Sequence, residues 1–332
     1  MQTRVPAVPV PGAVLLPAAA LLASIAVLLT PVAARAQVTA LTRQCAAVPT
    51  VEGRGYCDRV ALALVAIQPR LGMAAAGGNP VAGTASTVGM RMGSSPRISV
   101  VASIVGVFVV APRFLDQTAT GTKPFFLPGL GIDASMGLLE GLTLAPTVGG
   151  VLSLDALAGA TLVPLPLDFR ERANVSWAVG ARLGLLRESF TLPGVSLSLM
   201  YRHLGRVTYG DPALVASDGF FQGRLSMLSL RGAASKRIYL FDVTVGLGLD
   251  RVYGDTRFGS AISSVPYTYS VNGLKTERRC GFIDVGWTSL VWQMVAEFGW
   301  QTGPGAFPAV LPVGTGSIGA APFAGLALRL TI

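Results

Sequence analysis

The stretch VSWAVGARLGL, residues 175–185, decides the fold of this chain because large apolar residues alternate along it with small or polar ones. Its odd positions carry Val, Trp, Val, Ala and Leu, whereas its even positions carry Ser, Ala, Gly and Arg. Alternation with a period of two places the two sets on opposite faces of a β-strand. The same pattern recurs over residues 130–138, 195–201 and 239–249. The sequence therefore predicts an all-β protein.

The composition indicates that these strands lie in a membrane. Of the 332 residues, 51% are hydrophobic and only 13% are charged, whereas a soluble domain carries about 25% charged residues. The hydrophobicity also excludes a disordered chain. After residue 36 the longest apolar run, residues 98–112, falls short of the roughly 20 residues that a membrane-spanning helix needs. We therefore expect a transmembrane antiparallel up-and-down β-barrel.

About twelve strands, within a range of about 10–14, follow when this pattern is extended over residues 66–332. We place them near 66–75, 82–92, 97–110, 127–138, 150–162, 174–187, 193–204, 220–231, 237–250, 279–288, 291–301 and 317–332. Short connections alternate with long ones, of which residues 251–278 are the longest, and this layout is typical of outer-membrane barrels. A soluble β-sandwich is the alternative, since its apolar face would pack against a second sheet.

The N-terminus is typical of an exported protein. Arg4 precedes an apolar run over residues 13–29, and Ala34-Arg35-Ala36 fits a small-x-small cleavage site. We expect residues 1–36 to be a signal peptide for the Sec pathway, with a membrane anchor as the alternative. Residues 37–65 would then form a periplasmic or plug segment.

Export also favours a disulfide between Cys45 and Cys57, which lie in that segment. A metal site is the weaker alternative, because a second cysteine pair is missing and the chain has one histidine. Cys280 remains as a free thiol.

Charge separates the two faces of the predicted strands. A basic residue that faces lipid at mid-depth costs about 2–4 kcal/mol, so charged residues should face the lumen. The predicted lumen-lining residues are Arg70, Arg91, Arg97, Asp133, Asp155, Arg182, Arg202, Arg224, Asp242, Asp284, Glu297 and Arg329. They could form a ladder of ion pairs that fills and stiffens the lumen, or they could line a narrow pore that prefers anions.

Aromatic residues near the strand ends predict two girdles at the membrane surfaces, because rings with a polar edge favour the headgroup region. These residues are Trp177, Trp287, Trp292, Trp300, Tyr201, Phe221, Tyr239 and Phe241. Trp292 and Trp300 would be separated by roughly 20 Å along the membrane normal, close to the height of the apolar band.

The last strand, FAGLALRLTI over residues 323–332, alternates and contains an internal glycine. In these respects the chain resembles bacterial outer-membrane β-barrel proteins as a broad class. The resemblance covers the signal sequence and most of residues 66–332, and it departs at Ile332, where that class usually ends in an aromatic residue. It implies a place in the bacterial outer membrane, contact with outer-membrane lipid, and insertion by the barrel assembly machinery.

Enzymatic chemistry has little support in the sequence. His203 is the one histidine, and its neighbours Arg202, Leu204 and Gly205 match neither the His–Ser pairing of outer-membrane phospholipases nor the Asp–His pairing of outer-membrane aspartic proteases. We expect no enzymatic activity, no cofactor and no metal. The net charge of +9 comes from scattered residues, which argues against a nucleic-acid partner.

The predicted function is that of a porin-like barrel that passes small hydrophilic solutes through a lumen lined by arginine and carboxylate side chains. The alternative is a structural or adhesive outer-membrane protein that acts through long extracellular loops, above all residues 251–278.

Overall fold

A closed antiparallel β-barrel is the architecture of the computed structural model, which describes residues 45–90, 95–115, 121–144, 149–213, 219–262, 265–289, 291–303 and 320–332. Its described strands are β1 (Ile98–Pro112), β2 (Thr122–Leu139), β3 (Ser153–Pro164), β4 (Ala173–Leu186), β5 (Gly194–Gly210), β6 (Gly219–Ile238), β7 (Phe241–Ile262), β8 (Val265–Ser289), β9 (Trp292–Gln301) and β10 (Ala321–Thr331). Each strand pairs with its neighbours in sequence, and β1 closes the barrel on β10.

The barrel has ten strands among the described residues instead of about twelve, because the first two predicted strands are wrong. Residues 66–75 belong to a helix, α1 (Val51–Ala76), and residues 82–90 are irregular, so the barrel begins at Ile98. A helix that is buried on all sides shows no 3.6-residue period, which is why the sequence did not distinguish residues 66–75 from a strand. The predicted signal peptide, residues 1–36, lies outside the described residues.

The two ends of the barrel differ. At the end that we call lower, β1 begins and β10 ends, and the main chains of Ile98 and Ile332 exchange two hydrogen bonds of 3.1 and 2.9 Å. At the opposite, upper end, β7 and β8 continue as one long hairpin. The predicted loop 251–278 is therefore wrong, since these residues pair across β7 and β8 in register, for example Thr256 with Val271.

α1 lies inside the barrel and runs from its upper end toward its lower end. Thr50 caps its first turn by accepting a hydrogen bond from the Gly53 N–H at 3.2 Å, and Gly77 ends it with a φ of 64°. By length and composition α1 could cross a membrane, but 89% of its most apolar window is buried within the protein. α1 is thus the core of the barrel.

The wall of the barrel is shaped to receive this helix. Gly129 on β2 faces α1, and a methyl group at this position would lie 1.9 Å from the carbonyl oxygen of Ala74. Only a glycine allows the helix backbone to approach the strand so closely. On β3, the Thr161 hydroxyl donates a hydrogen bond to the Ala75 carbonyl at 2.9 Å, which satisfies one carbonyl of the last helical turn.

The outer surface of the wall is apolar over most of its height. Large apolar side chains are exposed on every strand from β1 to β10 except β3 and β6, where few are, and they include Ile104, Ile132, Val179, Leu247, Ile283, Met294 and Leu326. On the upper parts of β6, β7 and β8 the outward side chains are polar instead, namely Arg224, Arg251, Asp255, Arg257, Lys275 and Glu277.

Candidate functional site: the plugged lumen

The upper half of the lumen is filled by apolar side chains of α1 and the wall. The Tyr56 hydroxyl of α1 donates a hydrogen bond to the Phe114 carbonyl at 2.5 Å, where the chain leaves β1. The rings of Phe114, Tyr209 and Phe221 surround this point, with centroids 5.0–6.1 Å apart. All four side chains are buried. This packing has the character of a protein core.

Below this core, polar side chains attach α1 to the wall. Arg70 of α1 donates hydrogen bonds to the main-chain oxygen and to Oε1 of Gln301 on β9, at 3.0 and 2.9 Å. Gln68 donates to the Thr256 hydroxyl on β7 at 3.0 Å. The helix is therefore fastened to two strands.

The chain continues from α1 into residues 77–90, which we call the luminal loop and which descends toward the lower end. Two carboxylates of the wall hold its first turn. Glu297 on β9 accepts hydrogen bonds from the N–H groups of Gly78 and Asn79 at 2.9 and 2.7 Å. Asp284, its register partner on β8, accepts from the Asn79 side chain at 2.6 Å and from the Gly83 N–H at 3.0 Å. Both acids thus bind the plug.

A buried ion pair holds the lower part of the luminal loop. Arg182 on β4 and Asp155 on β3 are register partners, and their side chains pair at 2.7 Å with almost no exposure. The same carboxylate accepts a hydrogen bond from the Val88 N–H at 2.9 Å, and Arg182 donates to the Thr84 carbonyl at 3.4 Å. The ion pair therefore also serves as an attachment point for the plug.

Most of the other predicted lining residues lie where the barrel encloses the plug. Asp133, Arg202 and Asp242 point inward from β2, β5 and β7, and Arg329 donates to the Ala82 carbonyl at 3.1 Å. Arg70 is inside the barrel but on α1. Arg97 is exposed at the lower mouth. Arg91 lies outside the described residues.

Arg224 is a correction, because it is exposed on the outer face of β6. The predicted parity of this strand was reversed, and inward positions are the odd ones, including Arg231. Arg231 forms a buried ion pair with Asp250 on β7 at 2.7 Å and donates to the Gly78 carbonyl at 2.9 Å. Sequence reasoning missed this pair. The signal that could have found it is short: Leu228 and Leu230 share one parity, and Ser229 shares the other parity with Arg231.

The aromatic residues fall on both sides of the wall. Those exposed on the outer surface are Trp177, Trp287, Trp292, Trp300, Tyr201 and Phe241, together with Tyr239 in the turn between β6 and β7. Phe221 is a correction, since it is 1% exposed and packs inside with Tyr209. The same reversed parity of β6 explains it. His203 lies beside Trp177, with ring centroids 5.8 Å apart.

The predicted disulfide is confirmed. Cys45 and Cys57 are bonded, and the bridge ties the residues before α1 to its second turn. Cys280 is a free, buried thiol on β8.

The lower mouth of the barrel contains an open cavity of about 990 Å³. Its lining is basic, with Arg97, Arg187, Lys236, Arg237 and Arg329 against Glu140 and Glu188. Most of these charges are engaged: Arg187 pairs with Glu140, and Lys236 donates to three main-chain carbonyls. The cavity ends where the luminal loop begins to fill the barrel.

Comparison with known proteins yields likeness in fold alone. No family model matches the chain, and no curated protein matches it. The solved structures to which it is similar are bacterial outer-membrane β-barrel proteins. They include the outer membrane protease OmpT from Escherichia coli, with 12% identity over 71% of this chain and 96% of that chain and a TM-score of 0.35.

The translocator domain of the autotransporter NalP from Neisseria meningitidis matches with 8% identity over 73% of this chain and 90% of that chain, with a TM-score of 0.41. Ail, the attachment invasion locus protein of Yersinia pestis, matches with 10% identity over 71% of this chain and 98% of that chain, with a TM-score of 0.28. At these scores the likeness carries no argument about function.

Proposed function

We propose that this chain is an outer-membrane β-barrel whose lumen is closed by its own N-terminal segment. The apolar outer wall supports the membrane location, because lipid requires apolar side chains on the outside of a barrel. Trp287 and Trp292 near the lower strand ends and Trp300 near the upper end of β9 bound this band, as interfacial rings do.

The lower end then faces the periplasm, since the barrel begins and ends there and β6–β7 and β8–β9 are joined by two residues each. The upper end faces the outside of the cell. Strands β6, β7 and β8 contain 20, 22 and 25 residues, about twice the 9–11 that a spanning strand needs. Their surplus forms a rigid extension above the membrane with a polar outer face.

Export by a signal peptide, insertion by the barrel assembly machinery and contact with outer-membrane lipid belong to the same proposal.

The barrel acts, on this proposal, as a structural or adhesive protein of the cell surface, through the extension formed by β6–β8. The observation that carries it is the position of α1, which fills the lumen with buried side chains from Gly53 to Ala75. Within the described part of the chain this helix occupies the interior of the barrel, so the arrangement favours a non-conducting wall protein over a permanently open pore. We propose no enzymatic role, and incubation with phospholipid and peptide libraries would test that part.

The test combines planar bilayers with a shortened extension. Gly254 and Leu274 are register partners, so residues 255–273 can be replaced by a two-residue Asn-Gly turn that keeps the hairpin below them. We expect both the full chain and this variant to be folded and electrically silent. Only the variant should lose adhesion of cells to one another or to a matrix surface.

The matched control replaces the lower turn, residues 239–240, by Asn-Gly and should retain adhesion. Steady single-channel conductance of the unmodified chain, or adhesion that survives loss of the extension, would overturn the proposal.

Passage of small hydrophilic solutes is a second candidate, which the polar lower half of the lumen favours. The luminal loop is held there by hydrogen bonds to the acidic side chains of Glu297 and Asp284, and below it the cavity of about 990 Å³ opens to the periplasmic end. Displacement of α1 and this loop would open the lumen. Conductance that appears only after the plug is weakened, for example by Glu297→Ala, would favour this second function.

A further inference from the structure

Two arginines on the outer wall face each other directly on neighbouring strands. Arg206 on β5 and Arg224 on β6 are register partners, and both are exposed on the outer surface. Like charges that lie opposite each other on neighbouring strands destabilise the sheet. Among the described residues, neither forms an ion pair with a carboxylate. We call these two residues the arginine pair.

The neighbouring carboxylates are already engaged by other groups. Asp255 is the register partner of Arg224 on β7, but its Oδ1 accepts a hydrogen bond from the Gly273 N–H at 2.9 Å. Glu171 accepts from the N–H and the hydroxyl of Thr208, at 2.7 and 2.9 Å. Asp255 therefore lies across from Arg224 without forming an ion pair with it among the described residues, and both guanidinium groups can still bind a further anion.

An aromatic cluster that lies below the arginine pair shows the height of the pair on the wall. Trp177 lies 5.8 Å from Tyr201 and 5.8 Å from His203, measured between ring centroids on the outer face. His203 is the register partner of Ser226 on β6, so Arg206 and Arg224 follow two to three residues higher. At about 3.3 Å per residue this is roughly 7–10 Å above the rings.

Such rings favour the boundary between hydrocarbon and headgroups. Groups placed one step higher on the same wall stand at the depth of the headgroups themselves. Guanidinium groups bind phosphate oxygens through paired, charge-assisted hydrogen bonds. Two of them side by side can hold one phosphate and relieve their mutual repulsion.

We propose that Arg206 and Arg224 bind the phosphate of a lipid headgroup in the outer leaflet of the membrane. This inference rests on the proposed outer-membrane location. The site is specific for a phosphorylated lipid, because the acyl chains of the lipid would lie on the apolar wall below the aromatic cluster while the headgroup reaches the arginine pair. The proposal rests on two observations: the two guanidinium groups are paired and exposed, and they lie just above the aromatic cluster.

The test is binding of lipopolysaccharide to the full chain in a zwitterionic detergent, measured by titration calorimetry. The variant is Arg206→Gln/Arg224→Gln, and the matched control is Arg97→Gln/Arg187→Gln, which removes the same charge at the lower end. Each cation near a membrane surface contributes about 1 kcal/mol, so the variant should bind about thirtyfold more weakly than the unmodified chain. The control should bind as the unmodified chain does.

Two further binding measurements identify the ligand. Dephosphorylated lipopolysaccharide should bind the unmodified chain as weakly as the variant binds the phosphorylated form, and the variant should not distinguish the two. Inorganic phosphate should not compete at millimolar concentration, and competition would overturn the lipid as the ligand. Unchanged affinity of the variant, or an equal loss in the control, would also overturn the site.

Heat-modifiable migration and insertion into phosphatidylcholine vesicles are recorded for each protein. Failure of the unmodified chain to insert contradicts the proposed membrane location. If the unmodified chain inserts but binds phosphorylated and dephosphorylated lipopolysaccharide equally, only the proposed role of the arginine pair is contradicted.

Discussion

Arg278 on β8 donates a hydrogen bond from Nη2 to the main-chain carbonyl of Val65 on α1, at 3.0 Å. Pro69 lies four residues after Val65 inside the helix and has no N–H, so this carbonyl lacks its usual helical partner. The wall of the barrel thus supplies the donor that the helix cannot. The proline and the arginine form one interaction between plug and wall, although they are far apart in the sequence.

Replacing Arg278 by Met should lower the free energy of unfolding by about 1–3 kcal/mol, because a buried carbonyl is left without a donor. Adding Pro69→Ala restores the helical N–H and should recover part of that loss. Unfolding in urea, followed by tryptophan fluorescence of the detergent-solubilised barrel, measures both. The neighbouring Arg279→Met is the control and should change little. If Arg278→Met lowers the free energy of unfolding equally in the chain with Pro69 and in the Pro69→Ala variant, the proposed interaction between Arg278 and the Val65 carbonyl is contradicted.

Glu297→Ala should loosen the luminal loop, because the buried N–H groups of Gly78 and Asn79 lose their side-chain acceptor. We expect a loss of about 1–3 kcal/mol in stability and faster hydrogen exchange at these two amides. Glu140→Ala is the matched control, since Glu140 is exposed and pairs with Arg187 at the rim, where such a pair contributes at most about 1 kcal/mol. Unchanged exchange at Gly78 would show that Glu297 does not hold the plug.

Gly129→Val should displace α1, because the added side chain would collide with the Ala74 carbonyl. The cost of such overpacking is about 1–3 kcal/mol or more, and it should appear as a lower melting temperature. Gly232→Val is the control, since nothing lies within 4 Å of a methyl group there. If Gly129→Val melts as the unmodified chain does, the close approach of helix and strand is not real.

Asp58 on α1 gives the plug a dependence on pH. Burial raises the pKa of Asp58 to about 6, and its Oδ1 has no hydrogen-bond partner among the described residues. A carboxyl whose pKa is raised in the folded state destabilises that state once it ionises. The free energy of unfolding therefore falls as pH rises from about 4 through about 6. Asp58→Asn should therefore stabilise the protein at pH 8 and have little effect at pH 4.

Melting temperatures at the two pH values measure this effect. Glu52→Asn, in the exposed first turn of the same helix, is the control and should not stabilise the protein at pH 8.

Ten strands could be predicted from the sequence because each exposes one face to an apolar surrounding and one face to a polar or crowded interior. This contrast produces an alternation with a period of two in segments such as residues 175–185. α1 could not be predicted in the same way, because the wall surrounds it and even Arg70 is buried. Its environment is uniform, so its sequence carries no period.

The parity of β6 failed for a related reason. Above the proposed membrane band this strand no longer needs an apolar outer face, so Arg224 can point outward and Phe221 inward. A rule that sends every charge inward holds only at the depth of the lipid. The Arg231–Asp250 pair, by contrast, lies inside at a point where the rule applies and was missed because the strand had been read one residue out of step.

The enclosure of α1 also constrains the order of events during assembly. The strand that follows the plug, β1, and the final strand, β10, form the seam that closes the cylinder. Folded chains avoid threading segments through finished rings, so the sheet has to curl around a helix that is already in place. We therefore expect the pairing of β1 with β10 to be the last step in the assembly of the barrel.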